Sequence, residues 1–103
     1  MTERDFQRIV VYALKLRGYI VWTVPNMTQT ARGLPDVIAI HPNHPQRLLC
    51  YELKSERGRI RPEQEIALGA LAMAKDVDAR VIRPSYWADV LAEIEIRPAT
   101  QEE

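Results

Sequence analysis

Asp36, Glu52 and Lys54 are the residues of this 103-residue chain whose types and spacing could do chemistry. Asp36 heads the apolar run DVIAI, and Glu52 lies near the end of RLLCYEL. If those runs are adjacent antiparallel strands, the head of one lies beside the end of the other. Glu52 and Lys54 are two residues apart, so strand alternation puts both on one face and leaves Tyr51 and Leu53 to the other. Two carboxylates and an ammonium then converge at one end of a sheet. Paired acidic oxygens suit a hard divalent cation such as Mg²⁺ or Mn²⁺, and Mg²⁺ keeps several waters where protein ligands are few. A water held there is a nucleophile. A neighbouring lysine can orient it, lower its pKa or neutralise charge developing on a phosphoryl group. The same three residues also read as a surface carboxylate beside a cross-strand ion pair worth under about 1 kcal/mol.

The elements that must position them follow from local pattern. Thr2 with Asp5 forms a capping signal, and Phe6, Ile9, Val10, Ala13 and Leu14 recur at helical spacing, which predicts a helix over 3–17 ended by Gly18. YIVWTV, residues 19–24, is a strand bounded by Pro25. The segment from Pro25 to Gly33 has no apolar period and is expected to be a long loop. The runs 36–40 and 47–53 are expected to pair as a hairpin through HPNHPQ. Pro62 with Glu63 and Glu65 opens a helix over 62–75, whose core stripe would include Leu68, Leu71 and Ala74 or its neighbours. A short strand over 79–82 and a last helix through Trp87, Val90, Leu91 and Ile94 complete the order αβββαβα. Helices covering a mixed β-sheet bury those faces, and a strand reached through a helical crossover pairs parallel to its neighbour. Residues 1–97 are expected to form one α/β domain, with 98–103 a frayed tail.

Composition bounds the rest. A 47% hydrophobic and 27% charged chain is globular rather than disordered or fibrous. No apolar run approaches the roughly 18 residues of a membrane span, and Glu3, Arg4 and Asp5 open the chain where a signal peptide would be apolar, so a cytosolic protein with no membrane partner is expected. The lone Cys50 excludes an internal disulfide. The formal charge of zero hides a split: residues 1–61 carry ten basic and five acidic groups, while 62–103 carry four and nine. Eleven of the fourteen basic residues are arginine, whose planar fork pairs bidentately with phosphate.

GLPDVIAI followed by YELKSERGRIRPEQE resembles the core of the PD-(D/E)XK nuclease superfamily, with Pro-Asp on one strand and acid-x-Lys on the next. The glycine ahead of Pro-Asp, the Glu-x-Lys form, the helix opening with Gln64 and the early Glu3 are similar to the small VRR-NUC branch. The likeness spans roughly residues 3 to 84. It implies a restriction-endonuclease-like core in which Asp36 and Glu52 are metal ligands, the Leu53 carbonyl is a third, and Lys54 is the catalytic lysine. Gln64 would position the water or the scissile phosphate. Glu3 would approach the metal directly or through water, although it equally reads as a first-turn carboxylate complementing the helix dipole. Gln7, one turn on, would support the site from the same face. The branch commonly has a small hydroxyl residue where this chain has Arg61, so capping must come from elsewhere.

By the same resemblance the chain is a Mg²⁺- or Mn²⁺-dependent DNA endonuclease, acting as a homodimer on branched DNA such as four-way junctions. A two-fold dimer sets two sites against two strands of a symmetric junction. Arg57, Arg59 and Arg61, leaving the active strand within one loop, and Arg32 in the other long loop are the expected DNA contacts, or else a solvated charge run. Two further functions stay open: a non-catalytic DNA-binding module of the same fold, and a nuclease subunit that needs a partner protein. His41 and His44 are expected as solvated loop histidines, Cys50 as core filler, and Trp22, Tyr86 and Trp87 as packing residues.

Overall fold

A computed structural model describes residues 1–24 and 33–95. Arg32, most of the 25–33 segment and the tail beyond Glu95 lie outside the described residues. The elements are α1 (Glu3–Leu16), β1 (Ile20–Thr23), β2 (Val37–His41), β3 (His44–Leu53), α2 (Pro62–Ala72), β4 (Val77–Ile82), a 3₁₀ turn (Pro84–Tyr86) and α3 (Trp87–Glu93). The strands form one mixed sheet in the order β1-β2-β3-β4, antiparallel except for the parallel β3–β4 pair. The α/β class and the helical crossover into β4 are therefore as expected. Among the described residues no helix is long and apolar enough to cross a membrane.

The α1 boundaries are set by its caps. The Asp5 N–H donates to Thr2 Oγ1 at 3.0 Å, satisfying an otherwise orphaned donor. At the other end Gly18, at φ +92°, lets Gly18 N–H reach the Lys15 carbonyl and Tyr19 N–H the Leu14 carbonyl, both at 3.0 Å. That pair of bonds is a Schellman stop. It turns the chain directly into β1.

Two hydrophobic layers hold the sheet. On one face Phe6, Val10 and Leu14 of α1 and Val90 and Ile94 at the α3 end pack on Val37, Ala39, Leu49, Tyr51, Leu53 and Ile82. On the other, Leu68 of α2 packs on Cys50 and Ala79. Burying an apolar side chain contributes about 1.5–3 kcal/mol, so Tyr51 and Leu53, at 0% and 1% exposure, fix the facing of β3. A one-residue slip would drive Glu52 into that core.

Several boundaries differ from expectation. The hairpin turn is tighter than HPNHPQ suggested: β2 runs through His41 and β3 begins at His44. His41 is 7% exposed rather than solvated, with Nε2 donating to the Arg17 carbonyl at 3.0 Å and Nδ1 accepting from Asn43 N–H at 3.2 Å. It ties the α1 stop to the hairpin. The second helix ends at Ala72, because Asp76 takes a left-handed turn, φ 63°, that starts β4 at Val77; Ala74 is exposed as a result. Trp87 packs edge-on against Phe6, but Trp22 and Tyr86 are 52% and 62% exposed, against expectation. Trp22 points to the α2 side of the sheet, where α2 lies over β3 and β4 and leaves β1 uncovered.

Candidate active site

The strands bring the predicted residues together. Val37 pairs with Tyr51, so one step further along the hairpin Asp36 stands opposite Glu52. The Asp36 carbonyl accepts from Val24 N–H at 2.9 Å, and its Oδ2 accepts from Leu53 N–H at 2.8 Å. Asp36 is thereby held by the strands on both sides of it. The Asp36 and Glu52 carboxyls are close enough that the charge on Asp36 bears directly on Glu52.

Glu52 is 2% exposed and Lys54 8%, on the face opposite Tyr51 and Leu53, as alternation requires. Lys54 Nζ lies 3.7 Å from Glu52 Oε2, an ion pair withdrawn from solvent rather than the exposed one considered above. Lys54 N–H donates to the Ile82 carbonyl at 3.1 Å, which extends the parallel ladder and fixes where the side chain starts. Burial pushes the Glu52 carboxyl up to about 8, the Asp36 carboxylate adding to the rise and the Lys54 ammonium opposing it. Burial raises Asp36 as well, against the hydrogen bond it accepts from Leu53 N–H. Two acids crowded together cannot both ionise without a compensating cation. They titrate as a pair.

Gln64 bridges the start of α2 and Glu52. Its Oε1 accepts from the Arg61 N–H at 2.9 Å, and its Nε2 donates to Glu52 Oε2 at 2.8 Å. The first bond caps α2 in place of the missing hydroxyl residue. The second holds the Glu52 carboxyl, so both ends of the amide are engaged.

Glu3 lies at the rim. Its Oε2 accepts from Ser55 N–H at 3.4 Å and rests against Gly58, where a Cβ would come within 2.8 Å of it. Glu3 lines a cleft of about 390 Å³ with Arg4, Gln7, Thr23, Val24, Asp36 and Leu53. Gln7 therefore shares its cleft, as the helical spacing predicted. Both α1 and α2 begin at the site, so the positive ends of two helix dipoles face it.

Gly33, at φ +83°, brings the lead-in to Asp36 against the first turn of α2, where a Cβ would meet the Glu63 carbonyl at 2.9 Å. Arg57, Arg59 and Arg61 are exposed in the connection from β3 to α2, at the site end of the sheet, and form no ion pair among the described residues.

Sequence reasoning missed Arg83. Its Nη1 donates to the carbonyls of Ser55 at 2.6 Å, Gly58 at 2.8 Å and Glu56 at 3.2 Å. The Ser85 N–H donates back to the Glu56 carboxylate. The turn that follows Lys54 is thus clamped to the end of β4. Arg directly after a strand was visible, but its partners are more than 20 residues away and no local pattern signals them.

The donor set fits a divalent cation bound largely by water. Glu52 Oε1 is buried with no hydrogen-bond donor, an orphaned acceptor that a cation or a shared proton would satisfy. Among the described residues no group of three or more His, Cys, Asp and Glu side chains is arranged to hold a metal. The hard-oxygen ligands that would hold it are Asp36, Glu52 and a main-chain carbonyl such as that of Leu53, with Glu3 at the rim of the same cleft. No family model, curated protein or solved structure matches the chain.

Proposed function

We propose that this chain is a Mg²⁺- or Mn²⁺-dependent phosphodiesterase acting on DNA, with the restriction-endonuclease-like core that the VRR-NUC resemblance implies. The observation that carries the reading is the pair of opposed carboxyls, Asp36 and Glu52, with a buried unpartnered Oε1 and an ammonium 3.7 Å away. Asp36 and Glu52 would hold the cation, with the Leu53 carbonyl beside them. When bound, the cation supplies Lewis-acid activation and charge neutralisation at the phosphodiester.

The remaining work falls to the chain itself. Lys54 offers a fixed positive charge, largely stripped of solvent, to the phosphoryl oxygens as they gain negative charge. Gln64 holds the Glu52 carboxyl in one orientation, and Asp36 is locked by Leu53 N–H, so neither acid must reorganise as charge develops. The two helix N-termini favour an anion approaching the same end of the sheet. Arg57, Arg59 and Arg61, exposed at that end, would meet backbone phosphates there, while Arg32 belongs to the proposal on sequence grounds alone.

The direct test is incubation of the full chain with duplex, flap and four-way junction DNA, with Mg²⁺, Mn²⁺ or EDTA. Cleavage that requires a divalent cation and favours the junction is the expected result. Equal cleavage in EDTA, or none with either metal on any substrate, sinks the proposal.

Junction resolution further requires a homodimer. Ile20 and Trp22, 46% and 52% exposed on the uncovered side of β1, provide apolar surface of the kind a second copy would bury. Sedimentation at micromolar concentration is expected to give twice the chain mass. A monomer removes the junction-resolving form and leaves a simple nuclease.

A further inference from the structure

We propose that the cleft along α1, lined by Arg4, Arg8, Tyr12 and Lys15, is the track on which a nucleic-acid strand runs into the carboxylate site; this rests on the nuclease reading above. The cleft has a volume of about 620 Å³, and Gln7, Val11 and Thr23 complete its walls. Arg4, Gln7 and Thr23 also line the cleft that contains Asp36 and Glu3. The two depressions therefore adjoin across these shared walls, and anything lying in the first ends beside the candidate metal ligands.

The chemistry of the walls selects a polyanion. At about 100° per helical residue, positions 4, 8 and 15 fall within roughly 40° of one another on the α1 surface. Their cations form one stripe. None of the three is paired with an acid among the described residues, whereas Arg17 and Arg80 are spent on Glu95 and on Asp78 with Glu93, and Arg83 on the carbonyls after β3. Asp5, the nearest acid on α1 outside the site, lies about 60° beyond the edge of the stripe by the same count. Three unpaired cations held side by side at zero formal charge overall repel one another, and a phosphate backbone relieves that repulsion.

Tyr12 separates this surface from a plain basic face. It is 68% exposed, lying along the helix axis between Arg8 and Lys15 and about 40° beyond the edge of the stripe by the same count. An exposed ring between cations can stack on a base whose phosphates those cations bind. From Arg4 to Lys15 the helix rises about 16 Å, the axial length of roughly five nucleotides at about 3.4 Å each. In sequence these residues look like the solvated face of an amphipathic helix. Only the shared cleft gives them a direction.

The test is binding by the full chain in EDTA, where no cleavage intervenes, read by fluorescence anisotropy of a labelled single strand about 20 nucleotides long and of the matching duplex. An Arg8→Gln/Lys15→Gln double variant is expected to bind at least about tenfold more weakly at 100 mM salt. The slope of log affinity against log salt should become shallower by about 1.4 on the single strand and about 1.8 on the duplex, two released counterions' worth. Tyr12→Ala should weaken single-strand binding severalfold and Tyr12→Phe restore it. Both altered charges are exposed, and circular dichroism melting checks that the variants fold.

Wild-type affinity and slope in the double variant overturn the track, as does binding to anionic phospholipid vesicles without binding to either oligonucleotide. The catalytic reading fails separately. Asp36→Asn protein that still cleaves DNA removes the carboxylate site, whereas unchanged binding by that variant in EDTA leaves the track standing.

Discussion

Lys54→Met protein is expected to cleave DNA at least about a hundredfold more slowly than wild type at saturating Mg²⁺ or Mn²⁺, the loss typical of removing one preorganised donor from a developing oxyanion. The magnitude follows from burial. Lys54 is 8% exposed, so its charge acts through a medium far less screening than water, and its stem is already fixed before substrate arrives. Methionine keeps an unbranched apolar stem as far as Cε and removes the ammonium. The native state tolerates this because the Glu52 carboxyl, which Lys54 partly compensates, already tends toward its neutral form. Binding of DNA in EDTA and the melting temperature should therefore move little while turnover falls. Asp36→Ala protein should lose cleavage entirely, since it removes one of two carboxylate ligands. Full activity in either variant shows that the chemistry lies elsewhere.

The part of this site legible in sequence was the part set by backbone geometry. Strand alternation placed Glu52 and Lys54 together, and hairpin pairing placed Asp36 opposite Glu52, because both relations depend only on local periodicity and register. The caps of α1 were equally readable. What could not be read was the choice among partners. The Gln64 amide could face solvent, substrate or a carboxyl, and only the approach of α2 to β3 decides for Glu52. Arg83 looked like any surface arginine until its three carbonyls were assembled around it.

His41 shows the same limit from the opposite side. Its flanking prolines argued for a solvated loop, yet a tight hairpin lays the ring across the end of α1. The Arg80 cluster is also tertiary: a bidentate pair with Asp78 at 2.7 and 2.8 Å, a bond to Glu93 at 2.6 Å and the Tyr51 ring 5.6 Å away join β3, β4 and α3. Part of the acidic excess beyond residue 61 is consumed there. The two halves of the chain therefore differ in how their charge is used as well as in its sign. Asp78, Glu93 and Glu95 pair with arginines of the fold, while the α1 stripe and the β3–α2 connection keep theirs available.

In EDTA the folded protein is expected to lose stability as pH rises from about 5 to about 8, the reverse of the usual behaviour of a carboxylate held in an ion pair. The Glu52 carboxyl titrates at about 8 in the native state against an ordinary 4.5. Between those values the native state holds a proton that the unfolded chain has released, so the slope of unfolding free energy with pH is negative. One proton sets the limit at about 1.4 kcal/mol per pH unit. Asp36 is raised as well, which acts in the same direction. A bound cation takes the place of the proton. Saturating Mg²⁺ or Mn²⁺ should flatten the dependence, and at a hundred times its dissociation constant it should add about 2.7 kcal/mol at pH 8. Glu52→Gln protein has no carboxyl at this position to titrate, and its amide is a poor cation ligand. The difference between wild type and this variant, from urea denaturation at pH 5.5 to 8, isolates the site from every other titrating group. That difference should shift toward the variant as pH rises in EDTA, and the shift should shrink or reverse when Mn²⁺ is added. A flat difference in EDTA means that Glu52 is ionised throughout and the acid pair is not coupled; no response to either cation means that the pair binds none.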